Sequence, residues 1–188
     1  RDDGWPARGL GALVAGQLPP LPPVLVGVFV TGVLLAVGAA DAGAVFVPLV
    51  LLLLIGPGGS HPHDGRLDWL VPPLLRLIEY GFTAVLGFAQ GVPPLWIFAL
   101  LGAVLFHHYD VVYRVRQRVY PPPWLALAGL GWDGRMVVVA LGALIGGAPV
   151  VYALLALYLW GLFAWESLTC WLAVSGPGAG AADLGAEE

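Results

Sequence analysis

The stretch HPHDGRLDWLVPPLLRLIEY, residues 61–80, joins a polar loop to a hydrophobic segment that continues to Gln90. Three charged side chains, Asp68, Arg76 and Glu79, lie within this segment. A charge near the middle of a membrane helix costs roughly 2.5–3.5 kcal/mol on translocon scales, so it normally has an ionic partner or a function. The stretch therefore predicts a membrane helix with a polar site near one end.

The composition of the whole chain is that of a membrane protein. Of its 188 residues, 59% are hydrophobic and 11% are charged, and the mean hydropathy is +0.86. Soluble domains carry roughly 25% charged residues. The net charge of −4 does not indicate nucleic-acid binding, and no nucleic-acid partner is expected. We therefore expect an all-α integral membrane protein whose first partner is the lipid bilayer.

Six segments are apolar and have, or approach, the roughly 20 residues that a helix needs to cross a bilayer core about 30 Å thick. They are Val24–Ala40, Ala44–Gly56, Asp68–Gln90, Pro94–Tyr113, Arg135–Gly147 and Val150–Val174. The first two are short and are separated only by residues 41–43, which predicts a helical hairpin. The sequence thus predicts a bundle of about six transmembrane helices over residues 21–175.

The two ends of the chain differ from the predicted bundle. Residues 1–20 predict a cytoplasmic segment, and residues 176–188 predict a flexible acidic tail. The chain begins at Arg1, and its only methionine is Met136. We therefore expect the first segment to continue from an upstream region of a longer protein.

The arginines predict the orientation, because cytoplasmic loops of membrane proteins collect Lys and Arg. Outside the predicted helices, all of them fall on one side of the bundle: Arg1, Arg8, Arg66, Arg114, Arg116, Arg118 and Arg135. Both termini are therefore expected in the cytoplasm, and the protein is expected to be a multi-pass protein of the cytoplasmic membrane. The series Arg114, Arg116 and Arg118 is interpreted as a topology signal and an anchor to lipid headgroups.

Most other ionisable residues of the predicted helices fall at the cytoplasmic end. At 100° per residue, Asp68 and Glu79 lie within about 20° of each other on the helix, and Arg76 lies about 80° from Asp68. The other helices contribute His107, His108, Asp110, Arg135 and Glu166. Since several helices bring charges to one depth, we expect them to meet in a polar cavity that faces the cytoplasm.

These residue types suggest chemical roles. The candidate catalytic residues, which can act as acids, bases or ligands, are Asp68, Glu79, His107, His108, Asp110 and Glu166. Arg76 and Arg135 are the candidates for binding phosphate, and Asp68 is the candidate metal ligand. His107 and His108 are expected on different faces of a helix, with at most one in the cavity. A mutual ion-pair network that serves only stability is the alternative.

His61 and His63 lie in a proline-rich loop and could form half of a metal site. Histidines in such a loop are more often solvated.

Residues 67–73, LDWLVPP, followed by Arg76 and Glu79, resemble the start of the third helix of membrane CDP-alcohol phosphotransferases. That resemblance implies six helices, a cytoplasm-facing cavity and metal-dependent phosphotransfer. Only Asp68 carries over. The second span, AVFVPLVLLLLIGPGG, contains no acid, and Pro72 stands where the last aspartate of that family would be. Two divalent ions need several carboxylate oxygens, and one retained aspartate cannot hold them. Mg²⁺ is therefore expected as a cofactor only if the chain is enzymatically active.

Three further stretches, HPHDGRLDWLVPPLLRLIEY, HHYDVVYR and PPPWLALAGLGWDGRM, resemble an uncharacterised actinobacterial membrane domain, the family DUF5941. This resemblance covers almost the whole sequence. Such domains lie at the end of larger proteins that also carry nucleotidyltransferase and CDP-alcohol phosphotransferase modules. The resemblance therefore implies a setting in phospholipid or polyol-phosphate metabolism, with an attached upstream enzymatic domain as partner.

Two functions are consistent with these observations. The first is a non-catalytic or degenerate membrane domain that accompanies a phospholipid or polyol-phosphate biosynthetic enzyme, with a polar cavity and homodimerisation as a further option. The alternative is a divergent CDP-alcohol-type phosphotransferase that acts on a lipid or polyol phosphate. A transporter is disfavoured, because the outer halves of the predicted spans are apolar and no polar path crosses the membrane.

Overall fold

The computed structural model describes residues 3–14, 17–37, 46–60 and 65–174, and within these ranges the chain is helical and contains no strand. The elements are α1 (Trp5–Val14), α2 (Leu21–Val37), α3 (Val47–Ile55), a 3₁₀ turn (Gly56–Ser60), a second 3₁₀ turn (Asp68–Leu70), α4 (Val71–Ala89), α5 (Pro94–Arg116), α6 (Pro123–Ala128), α7 (Gly131–Leu144) and α8 (Ala148–Val174). The all-α prediction is confirmed.

Four segments are long and apolar enough to cross a membrane: Asp68–Ala89, Pro94–Arg116, Pro123–Leu144 and Ala148–Ala173. They agree with a multi-pass membrane protein. The apolar parts of α2 and α3 are shorter, so a count of six spans stays a prediction. The connection that contains Asp41, the loop that contains His61, His63 and Asp64, and the acidic tail lie outside the described residues.

The fifth predicted span differs most from the structure. It was expected to begin at Arg135, whereas α7 begins at Gly131. Leu130 and Gly131 both have positive φ angles, 66° and 65°, and this left-handed break separates α7 from the short helix α6. The break therefore adds a turn to the start of α7 and places Asp133 within that turn.

The helices are held together by apolar stripes with a spacing of three and four residues. On α4 the buried residues Val71, Leu75, Ile78, Phe82 and Leu86 lie on one face. This face lets α4 pack against α2, α5 and α7, while α8 packs against α5 and α7. Large apolar side chains on the outer surfaces, such as Leu77 and Phe88, are exposed and suit contact with lipid.

Short connections set the relative direction of the four long segments. Residues 90–93 join α4 to α5, and residues 145–147 join α7 to α8, so each pair is antiparallel. The beginnings of α4 and α7 therefore lie at the same end of the bundle as the ends of α5 and α8. We call this the polar end, because the ion pairs described below lie there. Away from it, Tyr152 donates a hydrogen bond of 2.7 Å to the carbonyl oxygen of Thr83.

Close packing of α7 against α8 depends on a glycine. A Cβ atom added to Gly142 would lie 2.8 Å from the Cβ atom of Val151. Valine is branched at Cβ and cannot turn that atom away by changing rotamer. The backbone of α7 can therefore approach α8 this closely only where residue 142 lacks a side chain, as is common between membrane helices.

We predict that Gly142→Ala lowers the free energy of unfolding in detergent by about 1–3 kcal/mol, the usual cost of overpacking a core. Gly161→Ala is the matched control, because Gly161 also lies within a helix and has nothing within 4 Å of the added Cβ atom. It should leave stability unchanged or raise it by up to about 1 kcal/mol, since alanine is the better helix former. Equal unfolding curves for the two variants would contradict the packing described here.

Candidate functional site

A cavity of about 310 Å³ opens at the polar end, between α1, α4, α5 and the α6–α7 region. Its polar lining consists of Arg8, Arg76, Glu79, His107 and His108. Its apolar lining consists of Pro72, Leu75, Val111, Pro121, Pro122, Pro123, Leu125, Ala126 and Trp132. Four of the predicted site residues therefore line the same cavity, and Arg8 is added to them by the fold.

The carboxylate of Glu79 is neutralised by Arg135 of α7. Arg135 Nε donates to Glu79 Oε1 at 2.6 Å and Nη2 donates to Oε2 at 3.3 Å, and both side chains are almost fully buried. The remaining nitrogen, Nη1, donates to the carbonyl oxygen of Gly129 at 2.8 Å. The predicted phosphate ligand Arg135 thus serves Glu79 and the backbone, and the pair fastens α4 to α7.

Both histidines of α5 line the cavity, so the expectation that at most one would do so is wrong. The two side chains leave the helix about 100° apart, and the cavity extends across both directions. His108 Nδ1 shares a hydrogen bond of 2.7 Å with the hydroxyl of Tyr80. The ring of His107 stacks on Phe163 of α8, with centroids 4.0 Å apart and planes 10° apart. Each imidazole is therefore held in one orientation by a neighbouring helix.

Arg114 forms a second ionic cluster, separate from the cavity. Its Nη1 and Nη2 donate to the two carboxylate oxygens of Glu166 at 2.8 and 2.7 Å, and Nη2 also lies 2.7 Å from Asp110 Oδ2. The Asp110 carboxylate further accepts a hydrogen bond from Ser167 at 3.1 Å. The cluster fastens α5 to α8, much as the Glu79–Arg135 pair fastens α4 to α7.

The interpretation of Arg114 as a headgroup anchor is wrong, because its side chain is 0% exposed. The sequence contained a signal for this burial. Position 114 continues the stripe of buried residues Ile97, Leu100, Val104 and His107, at intervals of three, four and seven. Arg116 lies off that stripe, Arg118 lies beyond the end of α5, and both are exposed. For these two the anchor interpretation stays a prediction.

The prediction that Asp68, Glu79, Asp110 and Glu166 meet in one pocket is also wrong. Only Glu79 lines the cavity. Asp110 and Glu166 surround Arg114, and Asp68 Oδ2 accepts a hydrogen bond of 3.0 Å from the backbone N–H of Gly65. Asp68 lies in the 3₁₀ turn before α4, so the 100° spacing of an α-helix does not extend to it.

The described carboxylates do not fit a magnesium site. Among the described residues, no three His, Cys, Asp or Glu side chains are grouped so that they could hold a metal ion. Mg²⁺ prefers six oxygen ligands in octahedral geometry. The protein supplies one or two of them as carboxylates, which must be free to coordinate the ion. Here Glu79, Asp110 and Glu166 are each engaged by an arginine. The candidate ligand Asp68 accepts the backbone N–H of Gly65 and belongs to no such group of described residues.

Helix α1 is attached to the polar end through contacts that sequence reasoning missed. The carboxylate of Asp133 accepts hydrogen bonds from the backbone N–H groups of Gly4 at 2.6 Å and Ala7 at 2.9 Å. Trp132 Nε1 donates to Asp3 Oδ1 at 2.8 Å. Asp133 thus accepts backbone N–H groups at the start of α1. These groups have no acceptor within the helix, because no helical turn precedes them. The attachment brings Arg8 to the cavity.

A family model described as a family of unknown function, DUF5941, matches residues 2–187, which is nearly the whole chain. The chain belongs to the family DUF5941. No match was found among curated proteins or among solved structures. Membership of DUF5941 confirms the resemblance drawn from residues 61–80 and from the stretches around His107 and Trp124. The actinobacterial origin and the likeness to CDP-alcohol phosphotransferases stay predictions.

We predict that Arg114→Gln lowers the free energy of unfolding in detergent by about 3–5 kcal/mol, because Asp110 and Glu166 lose the charge that compensates their burial. Arg116→Gln, two residues away and exposed, should change it by no more than about 0.5 kcal/mol. Thermal or denaturant unfolding of the purified variants measures both values. Equal stability of the two variants would show that Arg114 is not a buried partner of these acids.

Proposed function

We propose that this DUF5941 chain is a non-catalytic membrane domain that accompanies an enzyme of phospholipid or polyol-phosphate synthesis. In this proposal the polar end faces the cytoplasm, and the cavity holds a phosphate group of a ligand of that enzyme. The concentration of arginine at one end of the bundle supports the orientation in the cytoplasmic membrane.

The charge of the cavity is the observation that carries the proposal. Three charged residues line it, and the charge of Glu79 is offset by Arg135. Within the described ranges, no ion pair involves Arg8 or Arg76. The lining therefore carries two positive charges, those of Arg8 and Arg76, that are in no ion pair within the described ranges. Guanidinium groups match phosphate oxygens in geometry as well as in charge, so phosphate is the ligand group that this lining favours.

The engaged carboxylates support a role in binding without catalysis. Metal-dependent phosphoryl transfer uses divalent ions to stabilise the charge of the attacking and leaving oxygens. Such ions require acids that are not already engaged, whereas the buried acids described in this chain accept hydrogen bonds from arginine, from backbone N–H groups or, in the case of Asp3, from the indole N–H of Trp132. The domain would therefore hold or deliver a phosphate-bearing molecule for the chemistry of its partner.

One observation favours the alternative, a divergent CDP-alcohol-type phosphotransferase that acts on a lipid or polyol phosphate. His107 and His108 line the same cavity as Arg76, so an acid or base would stand beside a phosphate that Arg76 binds. In that case a histidine variant would abolish turnover without abolishing binding.

We predict that the purified full chain in neutral phosphatidylcholine nanodiscs binds inorganic phosphate in calorimetry. Arg76→Gln should weaken binding by about tenfold or more, because it removes a charge-assisted hydrogen bond. Arg116→Gln is the control and should bind as the wild type does. An absence of phosphate binding by the wild type would contradict the proposal.

The same preparation distinguishes the two functions. Incubated with a CDP-linked lipid, glycerol 3-phosphate and Mg²⁺, the isolated domain should release no CMP. CMP release that is lost in His107→Asn or His108→Asn would overturn the non-catalytic role and favour the phosphotransferase. Chain purified from its native membrane in mild detergent should, in contrast, carry CMP-releasing activity that belongs to a co-purified enzyme.

A further inference from the structure

We propose that the cavity binds a phosphomonoester dianion between two arginines from different helices, Arg76 of α4 and Arg8 of α1. This inference rests on the proposed function and deepens it. It specifies the charge of the ligand, and it makes α1, which lies outside the four long helical segments, a part of the binding site.

Arg8 is oriented by its own segment without being neutralised. Its Nε donates a hydrogen bond of 2.8 Å to the carbonyl oxygen of Asp3. A guanidinium has five N–H donors, so this bond leaves the donors on the two Nη atoms for a ligand. The contact fixes one edge of the guanidinium through a neutral backbone group, and the positive charge of Arg8 stays available to an anion in the cavity that it lines.

The segment that carries Arg8 is held at the cavity by buried contacts. Asp133, which is 1% exposed, accepts the backbone N–H groups of Gly4 and Ala7. A Cβ atom on Gly4 would overlap the carbonyl oxygen of Leu130, so only glycine allows the two backbones to approach this closely. Trp132, which binds Asp3, is itself part of the cavity wall. The position of Arg8 is therefore built into the bundle and does not depend on a loose end of the chain.

Two guanidinium groups that form no ion pair favour a dianion over a monoanion. A phosphomonoester carries a charge of about −1.5 to −2 at pH 7, because its second ionisation has a pKa near 6. A phosphodiester has no second ionisable oxygen and carries a single negative charge. The monoester offers three oxygens that share up to two negative charges, whereas the diester offers two oxygens that share one, so two arginines are neutralised only by the monoester. The lining therefore distinguishes a terminal phosphate from one esterified on both sides.

The size of the cavity limits what the phosphate can be attached to. Its volume of about 310 Å³ is at the lower end of the roughly 300–1,000 Å³ range of small-molecule sites. A phosphate with a small polyol fits this volume, whereas the acyl chains of a lipid would have to remain outside it. The ligand is therefore either a soluble phosphomonoester or a lipid whose headgroup ends in a free phosphate.

The test uses the full chain in phosphatidylcholine nanodiscs at pH 7.5 and compares matched pairs of ligands by calorimetry. The soluble pair is glycerol 3-phosphate and glycerophosphoglycerol, a monoester and a diester. The lipid pair is phosphatidic acid and phosphatidylglycerol with short acyl chains, each titrated into the nanodiscs as a soluble monomer. Within at least one pair, the monoester should bind about tenfold or more tightly than the diester, because it makes an additional charge-assisted contact. Whichever monoester binds more tightly identifies the soluble or the lipid source.

Variants then assign the selectivity to the two arginines. Arg8→Gln and Arg76→Gln should each reduce monoester affinity by about tenfold or more and remove the preference over the diester. Arg8→Lys keeps the charge and should retain part of that preference. Arg116→Gln, which changes an exposed arginine of α5 outside the cavity lining, should bind like the wild type.

The outcomes separate this inference from the proposed function. If Arg76→Gln loses binding while Arg8→Gln binds as the wild type does, the two-arginine site is overturned and a phosphate-binding cavity remains. Equal affinity of the wild type for monoester and diester would overturn the inference that the cavity selects a dianion. This comparison needs only the wild type, so it can be made even if a variant fails to fold. If the wild type binds none of the four ligands and no inorganic phosphate, both proposals fail together.

Discussion

The bundle depends on the requirement that a buried charge has a partner within hydrogen-bonding distance. In the hydrocarbon core of a bilayer this partner must come from the protein, because no water is available there to replace it. Two ionic contacts meet this requirement here. Arg135 of α7 pairs with Glu79 of α4, and Arg114 of α5 pairs with Glu166 of α8 and Asp110 of its own helix. Each contact joins two helices that are not consecutive in the chain, so together they align the four long segments at the polar end.

This pairing also decides the character of the cavity. Once the buried acids are engaged, the charges left facing the cavity are those of Arg76 and Arg8, with the imidazoles of His107 and His108 beside them. The acids in the sequence suggested a site for metal ions. In the structure the lining of the cavity suits anions instead. Pairing of the buried acids stabilises the bundle. It also leaves arginines facing the cavity, which is what the proposed binding of phosphate requires.

The lengths of the apolar runs predicted the long helices closely, and in the structure the buried faces of these helices repeat every three to four residues. The same stripe on α5 includes Arg114, and the stripe on α8 reaches Glu166. The three- and four-residue spacing therefore predicts that Arg114 and Glu166 are buried. The sequence-based prediction failed at Asp68, which lies in a 3₁₀ turn before α4 and its two N-terminal prolines, and at α7, where the left-handed residues Leu130 and Gly131 shift the start of the helix.

The sequence by itself determined that this protein is helical and suited to a membrane, and that its polar residues gather at one end, because these properties follow from composition and from spacing along single helices. Only the tertiary structure decided which acid meets which arginine, and that Asp133 holds α1 so that Arg8 lines the cavity. Contacts such as Gly4 with Asp133 join residues far apart in the chain. Their formation depends on how the helices pack in space, and a pattern along one helix carries no information about that packing.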